Sequence, residues 1–215
     1  MIPSGRMRLA DDAHPPADRL YPTVLGDVWA RLHPDVQRVH LLSGSAHATA
    51  QFVVKRAPGR LIGLLLDLAR VPAASDAVPV RLTVEERTMP AGPQERWHRV
   101  FNGKPLVTHQ AVAAGRAECS GRLLGERVGP LEFRFRLVAD DADGAMVFEQ
   151  QGCWLRLGRR ALKVPRALAP VIWCRERATG HRAQTGVFVK VTTSRGALLF
   201  SYRGVVTWNV TDVTR

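Results

Sequence analysis

The sequence predicts an α+β domain: a strongly curved antiparallel sheet or partial β-barrel, helix-grip or lipocalin-like, with two N-terminal helices. Three observations carry that expectation. Two early stretches repeat their apolar residues with helical period, everything after Val78 alternates with the period of strands, and turn signals separate the strand-like runs. About nine short hairpin-linked strands make a twisted sheet, and a twisted sheet of that size curls or closes rather than staying flat.

The helical stretches come first. From Leu20 to His40, the residues Tyr21, Val24, Leu25, Trp29, Leu32, Val36 and Val39 fall near one stripe. Pro22 suits a first turn, whereas Pro34 must kink this helix or split it in two. The segment "GRLIGLLLDLARVP" spaces Leu61, Leu64, Leu65 and Leu68 at i, i+3, i+4 and i+7, and Pro72 closes it. That stripe is expected to pack on the concave face of the sheet or to plug one end. Residues 1–19 contain no apolar run of signal-peptide length and are expected to be a disordered tail, leaving 20–210 as a single domain.

The strands follow. "VPVRLTVEE", "RWHRVF", "KPLVTHQAV", "AECSGRLLGERV", "LEFRFRLV", "GAMVFEQQGCWLRL", "VIWCRERA", "GVFVKVTTS" and "GALLFSYRGVVTW" alternate with differing clarity. The cleanest, "LEFRFRLV", turns Leu131, Phe133, Phe135 and Leu137 inward and Glu132, Arg134 and Arg136 outward. Between the sixth and seventh runs, "GRRALKVPRALAP" has the look of a loop with one helical turn. Asn102-Gly103 is the strongest turn signal and marks a two-residue hairpin between "RWHRVF" and "KPLVTHQ".

Charge and cysteine content narrow the function. The net charge is +12, and 27 of the 31 basic residues are arginine, since lysine occurs only at Lys55, Lys104, Lys163 and Lys190. The arginines are spread through every segment, which suits a solvated basic surface with a compositional bias. The aromatic residues of "LEFRFRLV" share a face with leucines while its arginines face the other way, so no nucleic-acid surface is expected. Cys119, Cys153 and Cys174 are odd in number and far apart, which excludes a disulfide framework and a structural zinc site. His33, His40 and His47 recur every seven residues, but Pro34 breaks their register, so no metal is expected; His40 suits a hydrogen-bonded role at a helix end. No phosphate-binding glycine loop and no Gly-x-Ser-x-Gly elbow is present, and no cofactor is implied. The longest apolar run is too short and too interrupted to span a bilayer. A soluble cytoplasmic protein without a membrane span is the expectation.

One stretch stands out for chemistry. In "ERWHRVFNGKPL", strand alternation points Trp97, Arg99 and Phe101 to one, inward face. An arginine between two aromatic rings needs a carboxylate or several carbonyls, and it can also anchor an anionic ligand. Glu126 and Glu149 lie within the strands and are candidates for that partner or for a general base. Trp97, Arg99, Phe101, Glu126, Glu149 and His40 are thus the candidate ligand-binding residues. The leading reading is a module that binds a small amphipathic or acidic ligand in an apolar cavity. The alternatives are an enzyme acting on a lipid-like or polyketide-like substrate, or a domain that docks on a reductase-like partner.

The ordered set "LYPTVLGDVWARLHPDVQRVH", "GRLIGLLLDLARVP", "VPVRLTV", "ERWHRVFNGKPL", "GERVGPLEFRFRLV", "LGRRALKVPRALAP" and "GALLFSYRG" resembles the bacterial family catalogued as domain of unknown function 4166. Its Trp-x-Arg-x-Phe-x-Gly phrase is matched by Trp97, Arg99, Phe101 and Gly103, and its Leu-His-Pro element by Leu32, His33 and Pro34. Members of the family occur alone or joined to nicotinamide-cofactor-binding reductase-like domains. The resemblance implies an intracellular bacterial setting and a possible reductase-like partner; it brings no catalytic residues.

Overall fold

The computed structural model describes residues 18–41, 44–116, 122–158 and 160–209. The expected tail up to residue 17, Glu118 and Cys119 lie outside them.

Three short helical segments open the fold. α1 (Leu20–Leu25) runs into a 3-10 turn (Gly26–Arg31), and α2 (Pro34–Val39) follows. Pro34 splits the helix because it sits in the first turn of α2, where its missing N–H costs nothing. His33 caps that turn, its Nδ1 accepting from the Asp35 N–H at 3.2 Å. The predicted stripe is the buried one: Tyr21, Val24, Leu25, Trp29, Leu32, Val36 and Val39 all lie in the core.

Eleven strands follow among the described residues: β1 (Ser45–Arg56), β2 (Ser75–Met89), β3 (Gly92–Phe101), β4 (Lys104–Arg116), β5 (Arg122–Val128), β6 (Leu131–Ala139), β7 (Met146–Leu157), β8 (Arg160–Lys163), β9 (Val171–Ala178), β10 (Gln184–Thr192) and β11 (Leu198–Trp208). β1 separates the two helical regions, which the sequence reading did not foresee. Its inward face, Ala46, Ala48, Ala50, Phe52 and Val54, begins with three alanines, too small to mark a strand by hydrophobic contrast. β8 occupies part of the stretch read as a loop.

The sheet closes. β6 through β1 form an antiparallel meander, and β11, β10 and β9 continue it beyond β1. β7 then pairs with β6 along its length and with β9 over Met146–Glu149, completing a barrel of ten strands with β8 attached to the far half of β7. Beyond Glu149 the direct β7–β9 pairing ends, and the Gln150 side chain bridges the gap. Its amide donates to Pro170 O at 3.0 Å and its Oε1 accepts from the Ile172 N–H at 2.7 Å. The Asn102-Gly103 hairpin is present, with φ of 44° and 83°.

Two glycines are needed for close approach. A Cβ on Gly204, opposite Phe52, would lie 2.1 Å from Gln51 O, so β11 can meet β1 there only without a side chain. Gly144 has φ of 65°, and a Cβ on it would lie 2.7 Å from the His33 N. Its carbonyl accepts from the His33 N–H at 2.9 Å, tying the β6–β7 loop to the helical segment.

α1 to α2 therefore plug the end of the barrel where β1 begins, called here the capped end. α3 (Arg60–Leu68) connects β1 to β2 at the opposite end. Arg56 holds it, donating to Asp67 at 3.0 Å and to Gly63 O at 2.8 Å. Leu66 is buried, but Leu64 and Leu68 are exposed. The expectation that this stripe packs on a concave face or plugs an end is not met at these two residues, which turn to the solvent side of α3. Among the described residues no helix is long and apolar enough to cross a membrane.

Candidate functional site

Strand alternation delivers Glu95, Trp97, Arg99 and Phe101 of β3 to the barrel interior. Thr108 and Gln110 join them from β4, Glu126 from β5, Cys174 and Glu176 from β9, Thr185 from β10, and Tyr202 and Trp208 from β11. The helices add Tyr21 and His40. A core that is apolar elsewhere thus contains a polar cluster, denser toward the capped end.

Arg99 lies at the centre. Its Nη1 donates to Thr108 Oγ1 at 3.0 Å and stands 3.9 Å from Glu126 Oε1, while the guanidinium sits 4.9 Å from the Trp97 ring centre. A guanidinium has five N–H donors, and among the described residues only Thr108 takes a hydrogen bond from this one. Arg99 and Glu126 keep 15% and 18% of their side-chain exposure although both point inward. Leu106, Val128 and Leu131, between them and the α3 end, are half-buried too, as are Tyr202, Cys174 and Val189 on the facing wall. Toward the capped end, in contrast, Trp97, Thr108, Gln110, Glu176, Thr185 and Trp208 are buried.

At the capped end, His40 Nε2 and Glu176 Oε2 are 3.0 Å apart, and both side chains are almost fully enclosed. The Tyr21 ring stacks on His40 at 3.8 Å, and the Tyr21 hydroxyl donates to Gln110 Oε1 at 2.9 Å. Trp97 Nε1–H donates to Glu95 Oε2 at 2.8 Å, and Trp208 Nε1–H to Thr185 Oγ1 at 3.4 Å. Glu86, across from Glu95 on β2, pairs with Arg19. A cavity of about 10 Å³ remains between His40, Glu86, Glu95 and Trp208.

The electrostatics follow from this crowding. Burial pushes the Glu95 carboxyl up to about 7, only partly countered by His40 and the Trp97 N–H. Burial also pushes Glu176 up, but His40, the Thr185 hydroxyl and Arg99 outweigh it and hold that carboxyl below its ordinary value. Burial, then Glu95 and Glu176, raise Tyr21; burial, then Glu176, raise the Cys174 thiol. Burial likewise raises Tyr202.

A prediction arises at Glu95. A carboxyl pushed up to about 7 binds a proton in the folded state that the unfolded chain releases near 4.5. Stability therefore falls as pH rises from about 4.5 to 7, by up to about 3 kcal/mol, and stays lower above that. His40 from α2, Glu86 from β2 and Arg19 ahead of α1 are the charged groups that face it. Glu95→Gln keeps an acceptor for Trp97 and removes the titration. Urea unfolding at pH 5 and pH 8.5 should show the variant matching the parent at the lower pH and exceeding it at the higher; parallel profiles would refute the assignment.

The candidate residues from the sequence divide. Trp97, Arg99 and Phe101 share the interior as expected, Glu126 faces Arg99, and His40 reaches the same cluster from the end of α2. Glu149 is a correction. It lies between the inward Phe148 and Gln150, so alternation turns it to the outer surface, where it pairs with Arg136 at 2.6 Å. His33 caps α2, and His47 faces outward beside Thr83 at 3.2 Å, so the three regularly spaced histidines sit in three separate places. Glu95 and Glu176 were missed. Glu95 could have been found, because it has the parity of Trp97; Glu176 has the parity of Cys174, but nothing local distinguishes it from a surface residue.

A family model described as domain of unknown function (DUF4166) matches residues 32–206. The chain belongs to that family. This places Trp97, Arg99, Phe101, Glu126 and Glu176 all inside the part matched by DUF4166, together with His40. Tyr21 and Arg19, which complete the capped end, lie ahead of it. No curated protein matches the chain. Among solved structures it is similar to the crystal structure of the bifunctional dehydratase-cyclase domain in ambruticin biosynthesis, at 13% identity over 76% of each chain with a TM-score of 0.20. A superposition that loose carries no argument about this DUF4166 domain.

Proposed function

We propose that residues 20–210 form one domain whose barrel binds a small amphiphile, its anionic head on Arg99 and its apolar part toward the α3 end. The observation that carries this reading is an interior guanidinium with one hydrogen bond and residual exposure, set above a buried polar floor. A buried cation is costly unless several acceptors surround it. Thr108 and a carboxylate at 3.9 Å are fewer than a structural arginine ordinarily collects. The half-buried Leu106, Val128, Leu131, Tyr202 and Val189 supply apolar wall. Arg99 lies two residues from the end of β3, about 7 Å of strand rise, so the tail of a medium-length chain would reach past the rim. The proposal takes the domain to act in the bacterial cytoplasm.

A second reading uses the same interior residues. Glu126 faces Arg99 without the two-pronged contact of a closed ion pair, so a bound molecule that touches Arg99 also meets a carboxylate able to accept a proton. The domain would then turn over a lipid-like substrate rather than hold it.

Native mass spectrometry of the purified protein tests the binding proposal. The expected spectrum shows one small anionic molecule per chain that is lost on denaturation, or uptake of one added decanoate per chain. A chain that carries nothing and takes up no decanoate counts against it.

A further inference from the structure

Ten large apolar side chains are exposed among the described residues, and six of them lie at the α3 end: Leu64, Leu68, Leu157, Leu162, Leu168 and Val171. Leu168 is 77% and Leu68 73% exposed, so these side chains protrude rather than line a crevice. They come from three pieces of the rim, with β11 and β10 between α3 and the other two. Leu64 and Leu68 stand one turn apart on the free side of α3. Leu157 and Leu162 lie on one face of the β7–β8 hairpin, Leu168 lies on the loop that leads from β8 into β9, and Val171 is the first residue of β9. Hydrogen bonds join the pieces around the mouth. Ala57 N–H donates to Leu199 O at 2.8 Å ahead of α3, and Ser194 Oγ donates to Ala167 O at 2.7 Å between the β10–β11 turn and the Leu168 loop.

The charge around this rim is mostly basic. Arg60, Arg70, Arg160, Lys163, Arg166 and Arg195 are all exposed there. Of the acidic residues nearby, Asp67 is taken by Arg56 at 3.0 Å, and Asp76 stands at the start of β2. Protruding leucines ringed by arginine and lysine match an interface of acyl chains beneath anionic headgroups. A protein partner would instead be expected to meet aromatic residues at the centre of the patch; here the most protruding side chains are leucines, and the less exposed Trp173 lies beyond Val171 at its edge.

We propose that the α3 end is a peripheral membrane-docking surface that inserts Leu64, Leu68 and Leu168 into an anionic bilayer. The proposal does not depend on what the barrel holds.

Cosedimentation with large vesicles tests it. The chain should pellet with phosphatidylcholine vesicles containing phosphatidylglycerol about tenfold more strongly than with phosphatidylcholine alone, and raised salt should weaken the binding. The triple variant Leu64→Ser/Leu68→Ser/Leu168→Ser, which leaves every charge in place, should lose about tenfold or more of that affinity. Circular dichroism melting of the triple variant should match the parent, since the three side chains are exposed. Equal pelleting with both vesicle types overturns the proposal. So does unchanged binding by the triple variant, which would reduce the effect to net charge. Failure to bind either vesicle also overturns it and leaves an acidic protein as the occupant to seek.

Discussion

Glu176→Ala should destabilise the fold by about 2 to 3 kcal/mol, the cost of leaving the buried His40 and Thr185 side chains without the acceptor they share. His40 loses the carboxylate 3.0 Å from its Nε2, and the Thr185 hydroxyl loses an acceptor. The damage extends to the cap, because His40 also carries the stacked Tyr21 ring and Tyr21 reaches Gln110 on β4. α1 and α2 are six residues each, too short to persist without tertiary contacts. Their attachment therefore depends on this network and on the apolar stripe beside it. The acid side has a stated sign. The Glu176 carboxyl lies below the ordinary 4.5, so the stability it contributes is present above that value and is lost as pH falls through its lower folded value. Urea unfolding of Glu176→Ala beside Glu176→Gln checks both points. The glutamine variant keeps a hydrogen-bonding side chain and should lose less; an alanine variant within about 1 kcal/mol of the parent would mean the pair is not what fixes the cap.

How much of this was legible follows from the range of each signal. The buried stripe from Tyr21 to Val39 and the common face of Trp97, Arg99 and Phe101 are local periodicities, and the structure has both. The Asn102-Gly103 hairpin was legible for the same reason. Closure was not. It depends on β1 meeting β11 and on β7 meeting β9, pairings between distant segments that no local pattern encodes. β7 hid its facing further. The register shifts opposite Arg134 and Phe135, so the inward set passes from Phe148 and Gln150 to Cys153, and simple alternation fails across the run that contains Glu149. His40 and Glu176 lie 136 residues apart. Each is visible alone, but only the fold makes them partners.

The second large effect concerns Arg99. Arg99→Met keeps length and apolar stem while removing the charge, and Thr108 loses only one donor. If the guanidinium holds an anionic head through charge-assisted hydrogen bonds, its loss weakens binding by about tenfold to a hundredfold. Arg99→Lys should recover part of that, because charge returns without the planar fork. Neither change should release a ligand held by apolar contact alone.

Calorimetric titration of decanoate into the parent and into Arg99→Met tests the central claim most directly, with uncharged decanol as the comparison. Saturable binding of one decanoate per chain is expected, tighter than decanol, and at least about tenfold weaker in Arg99→Met, whose decanol affinity stays that of the parent. Equal decanoate affinity in parent and variant, or no saturable binding to either, would contradict a ligand anchored on Arg99.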